Sequence, residues 1–362
     1  MKRNQLLRPL LLLFVITLVL NSPSHAEPSP LKIGVIAPLS GPLAEYGQAL
    51  RNGIDLAKND IPGISQNCEF KFEDSKYDPK TALSALQKLA GDDVKVIYNW
   101  GNPTSAAVSP LAERLKMAMF VLSTDPLVSK GSNRVVRFSN SGVEYGAKLA
   151  QAIKKAGFRR VGIVRAENDY LNSILDGLKN AAPPDLSIEE LASYLPSDTD
   201  FRSSITKIRS KKLDAIGVFL LSGQISVFYR QLGEQHLKVP TFGTDFFEST
   251  SEIKASGSLI DGAFFANNAV DLEFQGTYLK QFGNDFQIIH AANGYDFAEL
   301  LCRDLPSKTA ALSPDNILEL VKTVSSTGKL GSYAYVNKDG DKHFASPIVI
   351  RQIVDQNLVT AQ

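Results

Sequence analysis

From residue 31 onward the chain alternates short β-branched runs with stretches of helical period, and this alternation constrains the fold more than any other feature. "LKIGVIA" precedes the helical "AEYGQALRNGIDLAKND", "CEFKFED" precedes "PKTALSALQKLAG", "VKVIYNWG" precedes "TSAAVSPLAERLK", and "AMFVLS" closes the series. Strands separated by helices imply βαβ units and a parallel sheet, because parallel neighbours need a crossover long enough to hold a helix. A second series follows "NRVVRFSNSG": "EYGAKLAQAIKKAG" leads to "RRVGIVRA", "LNSILDGLKNA" to "SIEELASYL", "DFRSSITKIRSKK" to "LDAIGVFL", and "ISVFYRQLGEQH" to "VPTFG". The fold class is therefore α/β, with two doubly wound parallel-sheet lobes and a cleft between them. Three more helical segments follow, and "GSYAYVNKDGDKHFASPIVIRQIV" then reads as a hairpin with an Asn-Lys-Asp-Gly turn. No long linker separates the lobes, so short crossings of the chain join them, which suits hinge motion.

The first 26 residues read as a secretory signal peptide. Lys2, Arg3 and Arg8 precede the apolar "PLLLLFVITLVL", and Ser24 and Ala26 supply a small-residue cleavage pattern. Cleavage after Ala26 leaves 36 Lys and Arg against 38 Asp and Glu, a formal charge of −2. A near-neutral exported chain has no basic footprint for nucleic acid. Cys68 and Cys302 are the two cysteines. In an oxidising compartment they can form a bridge, yet Cys302 also fits a buried free thiol in an amphipathic helix, and both readings stay open.

Reactive constellations are missing. No G-x-G-x-x-G follows a strand, "STGKLG" lacks the first glycine and the hydroxyl of a phosphate loop, and there is no G-x-S-x-G elbow. His25, His236, His290 and His343 are too dispersed for a metal site, and Glu189-Glu190 and Asp92-Asp93 read as solvated surface. No catalytic residue, metal or cofactor is expected.

What stands out instead is the material at strand ends, where open α/β sheets bind ligands. "IAPLSGPLAEYGQALRNGIDLA" ends a strand in a Ser40-Gly41-Pro42 turn and starts a helix at a tyrosine. Ser105 and Ala106 lie at a helix start, where the side chain of Thr104 or Ser105 can cap the helix, the backbone N–H groups can hold a carboxylate, or both. Asp245, in "FGTDFFES", either caps a short helix or pairs with a ligand ammonium across the cleft.

Together these segments resemble the type I periplasmic solute-binding proteins of the branched-chain amino-acid family, soluble receptors of ATP-driven importers. The S-G-P-x-A-x-Y-G core at Ser40 to Gly47 is the most specific part, supported by "FEDSKYDPKTALSALQKL", "AAVSPLAERLKMAMFVLS" and "RRVGIVRAENDY". The resemblance implies a monomer in the periplasm that closes its lobes on a small amino-acid-like or carboxylate ligand and delivers it to an inner-membrane permease. It implies a first lobe of 27–139 with 268–340, and a second of 140–267 with 341–362. It places an aromatic ligand contact on Tyr46, a carboxylate-binding serine on Ser105, a second-lobe tyrosine on Tyr170, an ammonium partner on Asp245 and a later contact near His290. The chain departs from the family pattern at Thr124 and Asp125 in "STDPLVS", and at Leu221 and Ser222 where a tyrosine is expected. A carboxylate beside an anion site repels an amino-acid carboxylate, so the departures point away from a standard branched-chain ligand. Rival readings are a ligand sensor for a membrane receptor on the same fold, and a secreted α/β hydrolase or dehydrogenase, for which no motif speaks.

Overall fold

The structure, a computed structural model, describes residues 29–284, 287–308 and 312–361. The leader expected over 1–26 lies outside the described residues. The first lobe begins β1 (Leu31–Ala37), α1 (Ala44–Asp60), α2 (Ile64–Asn67), β2 (Cys68–Asp74), α3 (Pro79–Gly91), β3 (Val96–Trp100), α4 (Asn102–Arg114), β4 (Ala118–Leu122) and β5 (Val135–Arg137). The second lobe runs α5 (Gly142–Lys155), β6 (Arg160–Ala166), α6 (Asp169–Asn180), β7 (Ser187–Tyr194), α7 (Arg202–Ser210), β8 (Ala215–Phe219), α8 (Ile225–Glu234), β9 (Thr241–Gly243), α9 (Thr250–Ser256) and β10 (Phe264–Asn268). The chain then returns through α10 (Leu272–Phe282), α11 (Ile288–Glu299), α12 (Pro314–Leu320), β11 (Ser325–Gly328), β12 (Gly331–Lys338) and β13 (Asp341–Ala345), and ends in β14 (Ile348–Val354) and β15 (Asn357–Thr360).

One sheet is ordered β11-β12-β13-β5-β4-β3-β1-β2 and the other β15-β14-β10-β9-β8-β6-β7. Every residue of β3, β4 and β8 is buried, as expected for central parallel strands with helices on both faces. The sheets are mixed, not wholly parallel: β12 is antiparallel to β13 and β14 to β10. The late hairpins thus finish one edge of each sheet. Helices α1 and α11 cover the first sheet and touch backbone to backbone, since a Cβ on Gly53 would lie 1.8 Å from the Ala291 carbonyl oxygen.

The lobe boundary expected at residue 340 moves. Asp339 and Gly340 both adopt positive φ and fold β13 back on β12, with Lys338 opposite Asp341. β13 also pairs with β5, so residues 341–345 belong to the first lobe. Asn268 closes β10 and belongs to the second. The chain therefore changes lobes at 138–141, 269–271 and 346–347.

These crossings are tied together. Asn268 Nδ2 donates to Asn140 Oδ1 (3.1 Å) and to the Pro347 carbonyl (3.0 Å), the Ser346 N–H donates to Asn140 Oδ1 (3.3 Å), and the Tyr145 hydroxyl donates to Asn268 Oδ1 (2.6 Å). Beside them, fully buried Arg137 forms a two-pronged pair with Asp341 (2.9 and 2.7 Å) and donates to the Ser123 and Ser139 carbonyls. The question left open for the cysteines is settled: Cys68 and Cys302 are bridged, with Cα atoms 5.7 Å apart, pinning the start of β2 to the segment after α11. No described helix is long and apolar enough to cross a membrane.

Candidate functional site

The carboxyl ends of the parallel strands in the two lobes face one another, and the first lobe contributes an aromatic cluster. Tyr46 in the first turn of α1, Trp100 at the end of β3, and His290 early in α11 meet with ring centroids 5.0 to 5.7 Å apart. Tyr77, after β2, joins at 5.3 Å from Trp100. The planes are tilted, at 48° for Tyr46 with Trp100 and 58° for Tyr77 with Trp100, so the rings do not cover one another's faces. Gly101 lets Tyr77 lie there: its φ is +99°, and a Cβ would fall 2.6 Å from the Tyr77 ring.

Opposite stands Asp245, the first residue of a short helical turn after β9, accepting a hydrogen bond from the Tyr170 hydroxyl at 2.8 Å. It is half-buried, and removal from water pushes its pKa up to about 6 despite the Tyr170 bond. The lobes sense each other's charge here. Burial raises the Tyr46 phenol, and the Asp245 carboxylate raises it further; burial and Asp169 act on Tyr77 in the same way. Burial drives His290 down to about 3, so its imidazole is neutral, and its Nδ1 has no hydrogen-bond partner.

The expected anion site differs from the sequence reading. Ser105 is fully buried behind the helix start and bonded to Asn99, so its side chain does not reach the cleft, while Ala106 is exposed on α4. Asn102, the first residue of α4, takes the place expected for Ser105 and went unnoticed in the sequence. Its Oδ1 accepts from the Ser123 hydroxyl (2.9 Å), the Thr124 N–H (3.0 Å) and the Thr124 hydroxyl (3.4 Å). Asp125 accepts from the Leu127 N–H at 2.9 Å, capping the turn that follows. Trp100 and Tyr77 were missed as well, although both stand at the carboxyl ends of strands.

Other loops facing the cleft also spend donors on the protein's own acceptors. Asp74 accepts from the N–H groups of Leu39 (2.8 Å), Ser40 (3.3 Å) and Lys76 (2.9 Å), and from the Ser40 hydroxyl; these bonds outweigh burial and hold its carboxyl below the usual range. Buried Glu252 accepts from the Gly223 and Ser226 N–H groups at the start of α8, and Asn168 accepts from those of Tyr170 and Leu171 at the start of α6. Leu221 packs at the margin of the second-lobe core, and Ser222 is exposed in the following turn. The structure thus brings Tyr46 and His290 together in the first lobe and Tyr170 and Asp245 together in the second, holds Thr124 by Asn102 and the Asp125 N–H by the Ser123 hydroxyl, and leaves Ser105 aside. Among the described residues no group of three His, Cys, Asp or Glu could hold a metal.

Comparison with known proteins agrees with this architecture. A family model described as periplasmic binding protein matches residues 30–357. The Leu/Ile/Val-binding protein BraC3 of Rhizobium johnstonii is 28% identical over 265 residues, covering 68% of this chain and 69% of that protein. The leucine-binding protein LivK of Thermotoga maritima superposes with a TM-score of 0.78 at 23% identity, covering 92% of this chain and 98% of its own. A Rhodopseudomonas palustris solute-binding protein, solved with 3,4-dihydroxybenzoic acid, gives 0.76 at 21% identity over 92% and 96%.

Proposed function

The chain belongs to the periplasmic binding protein family, and from that premise we propose that it is the solute receptor of an ATP-driven importer, capturing a small molecule between its lobes and presenting it to an inner-membrane permease. No bond is made or broken. The observation that carries the reading is the two-lobed fold with three short crossings tied through Asn268, in which Tyr46 of one lobe lies near enough to Asp245 of the other to feel its charge. A ligand touching both walls favours the closed state by its differential affinity, which is how a hinge converts binding into a signal that a permease can read.

On this reading residues 1–26 export the chain to the periplasm and are removed. The ligand contacts come from Tyr46, Trp100 and His290 on one side and Tyr170 and Asp245 on the other. The likeness to a Leu/Ile/Val-binding protein and to a receptor solved with a hydroxylated benzoic acid supports a small metabolite as cargo without fixing its class.

The test is small-angle scattering of the purified protein against a metabolite panel ranked by thermal shift. A stabilising compound should also shrink the radius of gyration as the lobes close. A stabilising compound that binds with no change in shape contradicts receptor closure.

A further inference from the structure

Two kinds of contact tie the lobes where the chain crosses between them. One is neutral: Asn268 joins Asn140 and the Pro347 carbonyl, and none of these groups titrates. The other is charged. Glu144, in the first turn of α5, divides its carboxylate between two partners. Its Oε2 accepts from the N–H (2.7 Å) and the hydroxyl (2.8 Å) of Ser141, the last residue of the first crossing, while its Oε1 lies 3.6 Å from His343 Nε2. His343 sits on β13, just before the third crossing. The pair therefore spans both lobes and both of these crossings.

The imidazole is buried, yet neither of its nitrogens makes an aligned hydrogen bond. Charge therefore holds it. The charged groups facing it are Asp341 on its own strand, with Oδ2 3.2 Å from Nδ1, Arg137 on β5 and Glu144 on α5; its neighbour on β12 is Val336. Arg137 already answers Asp341 with two hydrogen bonds, so the counter-charge left for an imidazolium is that of Glu144, from the other lobe. A buried cation needs such a partner. We propose that Glu144 and His343 are positioning residues of the hinge: their ion pair holds the lobes in the approach seen here, and its loss lets them move apart. This rests on the receptor reading above, in which a ligand that bridges both walls binds more tightly when the lobes are already brought together.

Protonation gives a way to break the pair without a mutation. Burial lowers His343, but Asp341 and Glu144 outweigh it and raise the ring from 6.5 to about 9, so the pair is intact below pH 6.5 and lost as pH climbs through 9. Small-angle scattering of the ligand-free protein between pH 6.5 and 9.5 tests the inference, with circular dichroism to show that the fold is intact. The radius of gyration of wild type should rise across this range. His343→Gln should show the larger radius already at pH 6.5, with no further rise. Glu144→Gln should behave alike, and because glutamine still completes the box with Ser141, it keeps the test open if the histidine variant misfolds. A wild-type radius that stays constant overturns the inference, as does the wild-type rise persisting in either variant. Both results leave the receptor reading standing, since closure on a stabilising metabolite decides that separately.

Discussion

The imidazole of His343, on β13 of the first lobe, lies 3.6 Å from the carboxylate of Glu144 at the start of α5 in the second. Its other nitrogen is 3.2 Å from Asp341, which is itself paired with Arg137; these three are buried beside the crossings, and Glu144 is partly exposed. Glu144 at the same time completes a capping box with Ser141, the last residue before α5. The start of the second lobe is thus tied electrostatically to the strand that ends just before the third crossing.

This contact makes stability depend on alkaline pH. Burial alone would depress His343, but Asp341 and Glu144 raise it to about 9, and the same pairing takes Glu144 down to about 2. A histidine raised above its unfolded value near 6.5 contributes fully below that pH and loses its contribution as pH climbs through 9. The loss should be about 2 to 3 kcal/mol, counted once for the pair. Thermal melts between pH 6.5 and 9.5 should show Tm falling, and His343→Gln should flatten that slope. An unchanged slope in the variant would remove His343 from the linkage.

The bridge between Cys68 and Cys302 closes a loop with a sequence separation of 234 residues. Restricting so long a loop in the unfolded chain is worth about 2 to 5 kcal/mol in the chain-entropy view. The Cys68→Ala, Cys302→Ala double variant should melt well below wild type, and wild type in reductant should approach it. Equal melting points with and without reductant would show that the bridge contributes little.

Asp245 should trade stability for binding. Its pKa of about 6 stands above a carboxylate's ordinary 3.8, so the ionised group opposes folding above pH 6, and the penalty fades as pH falls from 6 towards 3.8. Asp245→Asn should therefore stabilise the unliganded protein by roughly 1 to 3 kcal/mol at pH 7 to 8. If the ligand carries an ammonium group that meets Asp245, its binding follows the ionised form, so its affinity should hold above pH 6 and fall by up to about tenfold per unit below it. A variant that melts lower than wild type, or a pH-independent affinity, would contradict this.

The alternating strands and helices were legible because central parallel strands bury every residue and leave an uninterrupted apolar run. The transfer of β13 to the first sheet was not, since it depends on His343 pairing with Arg137 far away in sequence, and nothing local marks that register. Ser105 shows a signal that was present but unread. Ser105, Val108, Ser109 and Ala112 follow helical spacing and are all buried, so the period places Ser105 on the inner face of α4. Asn102, in the Gly-Asn-Pro turn ahead of that stripe, was the residue to weigh for the cleft.

Asn102 yields the most direct test of the engaged donors. If its Oδ1 is what closes the first-lobe loop to anions, Asn102→Ala releases the Ser123 hydroxyl and the Thr124 N–H and hydroxyl together. Losing those bonds should cost about 1 to 2 kcal/mol of stability. Affinity for benzoate should rise, because three donors then converge with no internal acceptor. Asp125 still places a carboxylate beside them, so adding Asp125→Asn should strengthen benzoate further by removing like charge. Titrations in which neither variant gains affinity for benzoate over wild type would mean that shape or the remaining field of the loop decides anion access, and that the Asn102 oxygen is not the gatekeeper.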